Sequence, residues 1–232
     1  LIKQIELIVK SDMEGPSLSR NALLRFATPD LADQINQLWK QYSENADVRQ
    51  LLLELIWLGA LKTCADIPKQ TVFGTYDDRY SRIFGGRALL ATGDDATKKQ
   101  YAAHILKNCG TLQKTVVCDA LEVLFPNHFN VDDLVKILRS IDLSDRDGGF
   151  GYDWHGSALA ERLSSIKEVE EYITGLLGLA GENEANEEDY DENLDSSISP
   201  ALISAAQKAL SLSPNTQAPT AAIDAFLRVK KI

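Results

Sequence analysis

Asp47–Gly59 reads DVRQLLLELIWLG, and after its opening acid only Arg49, Gln50 and Glu54 are polar. Val48, Leu51, Leu52, Leu53, Leu55, Ile56, Trp57 and Leu58 leave no polar face broad enough for a surface helix. A helix apolar nearly all round is buried on several sides, so this one is expected between layers of other helices. Asp47 with Gln50 three residues later forms a capping-box-like start, and Gly59 ends or bends the helix.

The same period extends outward in both directions. Upstream, Thr28-Pro29 combines a hydroxyl cap with proline at the first helical position, where no N–H is needed. Leu31, Ile35, Leu38, Trp39 and Tyr42 follow at one-face spacing. Downstream, Ile83, Phe84, Ala88, Leu89, Leu90 and Ala91 precede Gly93-Asp94-Asp95, a turn and a new cap. Tyr101, Ala102, Ile105 and Leu106 then form a further stripe up to Gly110, a C-terminal stop. Thr111 is expected to cap Leu112, Val116, Val117, Ala120, Leu121, Leu124 and Phe125, and Pro126 to stop that helix. Asn130 starts Val131, Leu134, Val135, Leu138 and Ile141. Leu159–Leu163 and the stripe Val169, Tyr172, Ile173, Leu176, Leu177 and Ala180 close the middle. Thr71–Tyr76 reads as loop. All seven prolines (Pro16, Pro29, Pro68, Pro126, Pro200, Pro214 and Pro219) fall at expected boundaries, consistent with a cost of about 3 kcal/mol inside a helix.

The pair Ala88-Leu89 returns as Ala120-Leu121, 32 residues later. Helix pairs repeating at such intervals define an alpha-solenoid, in which each pair leaves an apolar face that its neighbour covers. The expected fold is therefore all-α, a solenoid of antiparallel helix pairs over residues 1–180. An acidic linker spans 181–198 and a C-terminal helical pair 199–232, whose first helix is expected to open at Ser199-Pro200 with the same cap-plus-proline pattern as Thr28-Pro29. Leu52, Ile56, Leu89 and Leu121 are expected in the core.

The 232 residues carry 24 Lys and Arg against 34 Asp and Glu, a net charge of −10. Eight of the acids lie in Gly181–Ser197, GENEANEEDYDENLDSS, which has no base; the rest of the chain holds 26 acids against 24 bases. Like charges so dense repel one another, so the tract reads as a solvated connector, mobile and dispensable for folding. A near-neutral body offers no basic face for phosphates, which speaks against nucleic acid as a partner. No run approaches 18 apolar residues, so no membrane span is expected. Cys64, Cys109 and Cys118 lack CxxC spacing and read as buried apolar residues of a cytoplasmic protein.

Chemical motifs are sparse. There is no GxxxxGK[ST], GxSxG or HExxH. Ser164-Ser165-Ile166-Lys167 fits SxxK but lacks the companion SDN and KTG motifs. His104, His128 and His155 have no metal-ligand spacing with the cysteines. The most unusual stretch is Ser144–Gly156, SDRDGGFGYDWHG. Its Asp145, Asp147 and Asp153 suggest calcium. An EF-hand frame starting at Asp145 fails, however, because Gly149, Phe150 and Gly156 occupy the positions needing an oxygen ligand, a glycine and a glutamate. Loops carry function, and aromatic residues with arginine make interface anchors. Arg146, Phe150, Tyr152, Trp154 and His155 therefore form a candidate partner-contact loop. No catalytic residue, cofactor or metal is expected.

The runs VRQLLLELIWLGALKTCAD, DDRYSRIFGGRALLATGDD and VVCDALEVLFPNHFNVDDLVKIL resemble the HEAT-like helical regions of large bacterial NACHT/STAND-type NTPases, multidomain signalling and defence proteins. The resemblance covers about Asp47 to Leu163. It implies a scaffold or sensor segment lying beside a nucleotide-binding domain, with ATP hydrolysis elsewhere. Without a Walker motif here, no ATPase residue carries over.

These readings converge on a non-enzymatic interaction segment that binds protein or other domains of its own parent chain. Two enzymes of HEAT-like plan are the alternatives. One is a DNA glycosylase using Trp57, Trp154 and Asp153, and the other a bilin-lyase-like protein. Both ends are apolar over a wide arc: Leu1, Ile2, Ile5, Ile8 and Val9 at the start, Ile223, Phe226, Leu227, Val229 and Ile232 at the finish. Continuation into neighbouring modules, or weak self-association, is expected from uncapped ends of this kind.

Overall fold

A computed structural model describes residues 20–76, 78–141, 156–185, 192–213 and 220–229. Every regular element among them is helical, as the apolar period predicts. The chain divides into two compact units, Leu1–Tyr101 and Ala102–Ile232.

In the first unit, α1 (Arg20–Phe26) is followed by a 3-10 turn (Pro29–Leu31), α2 (Ala32–Tyr42) and α3 (Ala46–Gly59). A second 3-10 turn (Lys62–Cys64), α4 (Asp66–Phe73), α5 (Arg79–Thr92) and the beginning of α6 (Asp95–Asn108) complete it. The layered position expected of DVRQLLLELIWLG holds: α3 packs against α1, α2 and α5. Leu52, Leu53, Leu55 and Ile56 are wholly buried, and Leu89 on α5 nearly so. Burying each such side chain contributes about 1.5–3 kcal/mol.

The start of α3 differs from expectation. Its cap is Asn45, whose side-chain oxygen accepts from the Val48 N–H at 3.0 Å, and not Asp47. Both residue types cap well, and only the fold shows which one stands at the extended position. The helix ends at Gly59, but the left-handed residue is Ala60, with φ 44°. Gly59 is needed for another reason. A Cβ there would lie 2.6 Å from the Ala27 carbonyl oxygen and 2.8 Å from the Leu61 side chain.

Gly85 and Gly86, in the middle of α5, serve the same end. A Cβ on Gly85 would meet Thr71 of α4 at 2.9 Å, and one on Gly86 the Tyr101 hydroxyl of α6 at 2.5 Å. Thr71–Phe73 is not loop but the last turn of α4, and the buried Thr71 hydroxyl donates to the Ile67 carbonyl one turn back. Pro68 sits in the first turn of that helix, where its missing N–H has no intrahelical acceptor to lose.

The second unit contains the end of α6, then α7 (Lys114–Leu124), α8 (Val131–Ser140), α9 (Gly156–Ala160), α10 (Ile166–Ala185), α11 (Glu192–Leu212) and α12 (Thr220–Val229). Leu121 is fully buried in α7, as expected. That helix starts later than Thr111, whose hydroxyl donates to the Asn108 carbonyl at the end of α6. Asn130 caps α8 in a full capping box with Asp133. Asn130 thus fills the role expected of it.

Helix α10 packs on α8, α11 and α12, and α11 also packs on α9. The α8–α10 approach centres on Gly175, where a Cβ would lie 2.7 Å from Val135 and 3.2 Å from Val131. The α11 seam is mostly alanine: Ala201, Ala205, Ala206 and Ala209 are fully buried beside Leu202. The expected helix start at Ser199-Pro200 is corrected: α11 begins at Glu192 and contains Pro200. Pro200 faces solvent, so water can serve the carbonyl that its ring deprives of a partner. Helices α10 and α11 also enter the acidic stretch from either side, to Ala185 and from Glu192. Packing of α11 on α9 and α10 places the segments on both sides of that stretch in one unit.

Candidate functional site

The contact loop predicted from sequence lies outside the described residues, with Arg146, Phe150, Tyr152, Trp154 and His155 all inside 142–155. Its exit is described. The buried Tyr172 hydroxyl on α10 donates to the Gly156 carbonyl at 2.8 Å, and the Phe125 ring lies 6.0 Å from that of Tyr172. Burial pushes the Tyr172 phenol well above its usual range, so it stays a neutral donor.

Two side-chain clusters in the first unit were not foreseen. The first is built on Arg49, one of the few polar residues of α3. Its Nε donates to Ser81 Oγ at 2.6 Å, Nη1 to the Ser43 carbonyl after α2, and Nη2 to Asp78 Oδ2. The guanidinium lies 4.6 Å from the Tyr76 ring centre, and Tyr76 meets Trp39 edge-on at 6.0 Å. Asp78 is also the cap of α5, accepting from the Ser81 N–H at 2.9 Å. Burial would raise the Asp78 carboxyl, but the Ser81 hydrogen bonds and the Arg49 guanidinium outweigh it and hold the group below the usual aspartate range. All of these bonds tie helix ends together, and the cluster is structural. It had a signal in the sequence, since an arginine in an otherwise buried helix must be paired.

The second cluster surrounds Trp57, a half-buried residue on the last turns of α3. The Arg20 guanidinium of α1 and that of Arg87 on α5 each lie 4.9 Å from its ring centre, and Phe84 stands at 6.1 Å. Glu54, one turn back on α3, is pushed up by burial, while Arg20 and Arg87 pull it down. Arg87 is 4% exposed and Arg20 is open to solvent. On α1, Leu24 and Phe26 are 48% and 59% exposed. Arg20, Trp57 and Leu24 thus place a guanidinium, an indole and an apolar side chain on one accessible side of the unit. No sequence pattern links positions 20, 57 and 87, so this cluster was not legible in advance.

The SxxK match is a helix cap: Glu168 accepts from the backbone N–H groups of Ser164 and Ser165, which hold its carboxyl below the usual range, and Ser165 Oγ accepts from the Glu168 N–H. His104 on α6 is half-buried, and burial with nearby Lys107 holds it below the usual histidine range. Cys64, Cys109 and Cys118 are buried thiols. Among the described residues, no three His, Cys, Asp or Glu side chains converge as metal ligands, and no helix is long and apolar enough to cross a membrane. An open groove between α8 and α10 exposes Asp132, Lys167, Glu170 and Glu171. At the edge of the acidic stretch, Arg139 of α8 makes a two-bonded fork with Glu182 of α10.

No family model, curated protein or solved structure matches the chain.

Proposed function

We propose that the chain is a non-enzymatic interaction segment, a HEAT-like stack of helix pairs that binds protein or other domains of a larger parent chain. The resemblance of its helical runs suggests that the parent is a cytoplasmic bacterial signalling or defence NTPase. The observation that carries the reading is the surface around Trp57: an indole with an accessible Arg20, beside exposed Leu24 and Phe26 on α1. Tryptophan, arginine and large apolar residues dominate the energetic centres of protein interfaces. As a base-stacking residue for a glycosylase, Trp57 is poorly suited, because two guanidiniums already lie over its ring.

Photo-crosslinking tests the reading. A crosslinker at Leu24 should capture a protein or another domain of the parent chain, while one at the exposed Lys99 of α6 should not. Crosslinks from Leu24 to nucleic acid, with a mobility shift at low salt, would replace this reading with the glycosylase one.

A further inference from the structure

Helix α1 is held differently from its neighbours. It has seven residues, and Leu23 is the one it buries. Leu24 and Phe26 on its flanks remain largely exposed. A helix this short does not persist alone in water, so its form depends on its seat on α3. Two features define that seat. Arg20 lies over Trp57, with Glu54 beside it on the same helix. At the other end the Ala27 carbonyl comes so close to Gly59 that a Cβ there would be 2.6 Å away. Thr28, extended at φ −112° and ψ 155°, then separates α1 from the turn at Pro29. A short helix with one anchoring leucine, one stacked arginine and an extended residue behind it is easily lifted without disturbing α3.

We propose that α1 is a releasable strap and that a partner helix presenting an arginine, with a leucine three residues on, competes for its seat on α3. The pattern comes from the strap itself: Arg20 and Leu23 are the side chains that Trp57 and the core accept. Release would expose the apolar side of α3 that Leu23 covers and free Trp57 for a second guanidinium. The proposal rests on the interaction reading and gives the partner's chemistry.

Hydrogen exchange on the full chain gives the first test. Amides of residues 20–27 should exchange at least about a hundredfold faster than those of Leu52 and Leu53, as expected for a sub-global opening. Gly59→Ala, which closes the Ala27 approach, and Leu23→Ala, which removes the anchor, should each speed exchange at 20–27 about tenfold further. Protection of α5 should not change. If Gly59→Ala disturbs the whole unit, Leu23→Ala still decides. The second test uses a helix-stapled peptide, RNALLRF, as the competitor. It should bind the Leu23→Ala chain about tenfold more tightly than the unaltered chain, because the seat is open more of the time. The same peptide with its first Arg changed to Gln and its first Leu to Ala should not bind. Strap amides as protected as those of α3, or equal peptide binding to both chains, would overturn the proposal. A fixed strap would leave crosslinking from Leu24 unaffected, so the two readings fail separately.

Discussion

Arg49 and Arg139 each hold a carboxylate, Asp78 and Glu182, but the side chains of the first pair are 8% and 34% exposed and those of the second 50% and 57%. The first guanidinium also bonds a hydroxyl and a backbone carbonyl and lies over an aromatic ring, so its donors are satisfied where water cannot reach. The second makes a fork with Glu182, in solvent, between the end of α8 and the last turns of α10. Burial decides what each pair does. Arg49 fixes where α2 ends and α5 begins, because leaving any of its groups unpaired is costly. Arg139 joins two helices that already pack through Gly175, and water replaces its bonds at little cost.

The sharpest way to break the comparison is to delete each arginine. Arg49→Ala should destabilise the first unit by roughly 3 kcal/mol in urea denaturation, as expected when a buried pair loses one partner. Arg139→Ala should cost less than about 1 kcal/mol, and that loss should vanish in 1 M salt, roughly. Equal losses would mean that burial does not set the difference. Between these in size lies Gly86→Ala, where the added methyl meets the Tyr101 hydroxyl; overpacking of this kind costs about 1–3 kcal/mol.

Acid sharpens the contrast further. The Asp78 carboxyl lies below the usual aspartate range, so its contribution is complete above that range and is lost as the pH falls through its own lower value. Glu182 is also lowered by Arg139, but that pair stands in solvent, where screening leaves little of the shift as stability. Unfolding followed against pH should therefore show the Arg49→Ala chain with a flatter acid limb than the unaltered one, and the Arg139→Ala chain nearly unchanged. The smallest effect is a gain. Ala60→Gly should stabilise by about 1 kcal/mol, because φ 44° costs an alanine what it does not cost a glycine.

Much of the helix pattern was legible because it rests on period. Leu52, Ile56, Leu89 and Leu121 are buried where their spacing places them. Caps were legible where a single residue qualifies, as at Asn130, and misplaced where two compete, as with Asn45 and Asp47. Pro200 departs from the boundary rule because a solvent-facing proline can sit within a helix held by its neighbours. The Trp57 cluster depends on which helices become neighbours, and periodicity along one helix carries no information about that. Arg49 was legible in principle, since its burial followed from the helix around it.

The alanine seam of α11 has a consequence for temperature. Ala201, Ala205, Ala206 and Ala209 remove less apolar area from water per residue than Leu51, Leu52, Leu53 and Leu55 of α3, and they surrender no rotamer freedom in doing so. The heat-capacity increment on exposure scales with apolar area, so the α11 seam opens with a smaller increment per residue and a flatter stability curve. Chilling weakens hydrophobic burial most where leucine supplies it. The leucine-rich layer around α3 therefore loses more of its cohesion in the cold than the alanine seam does.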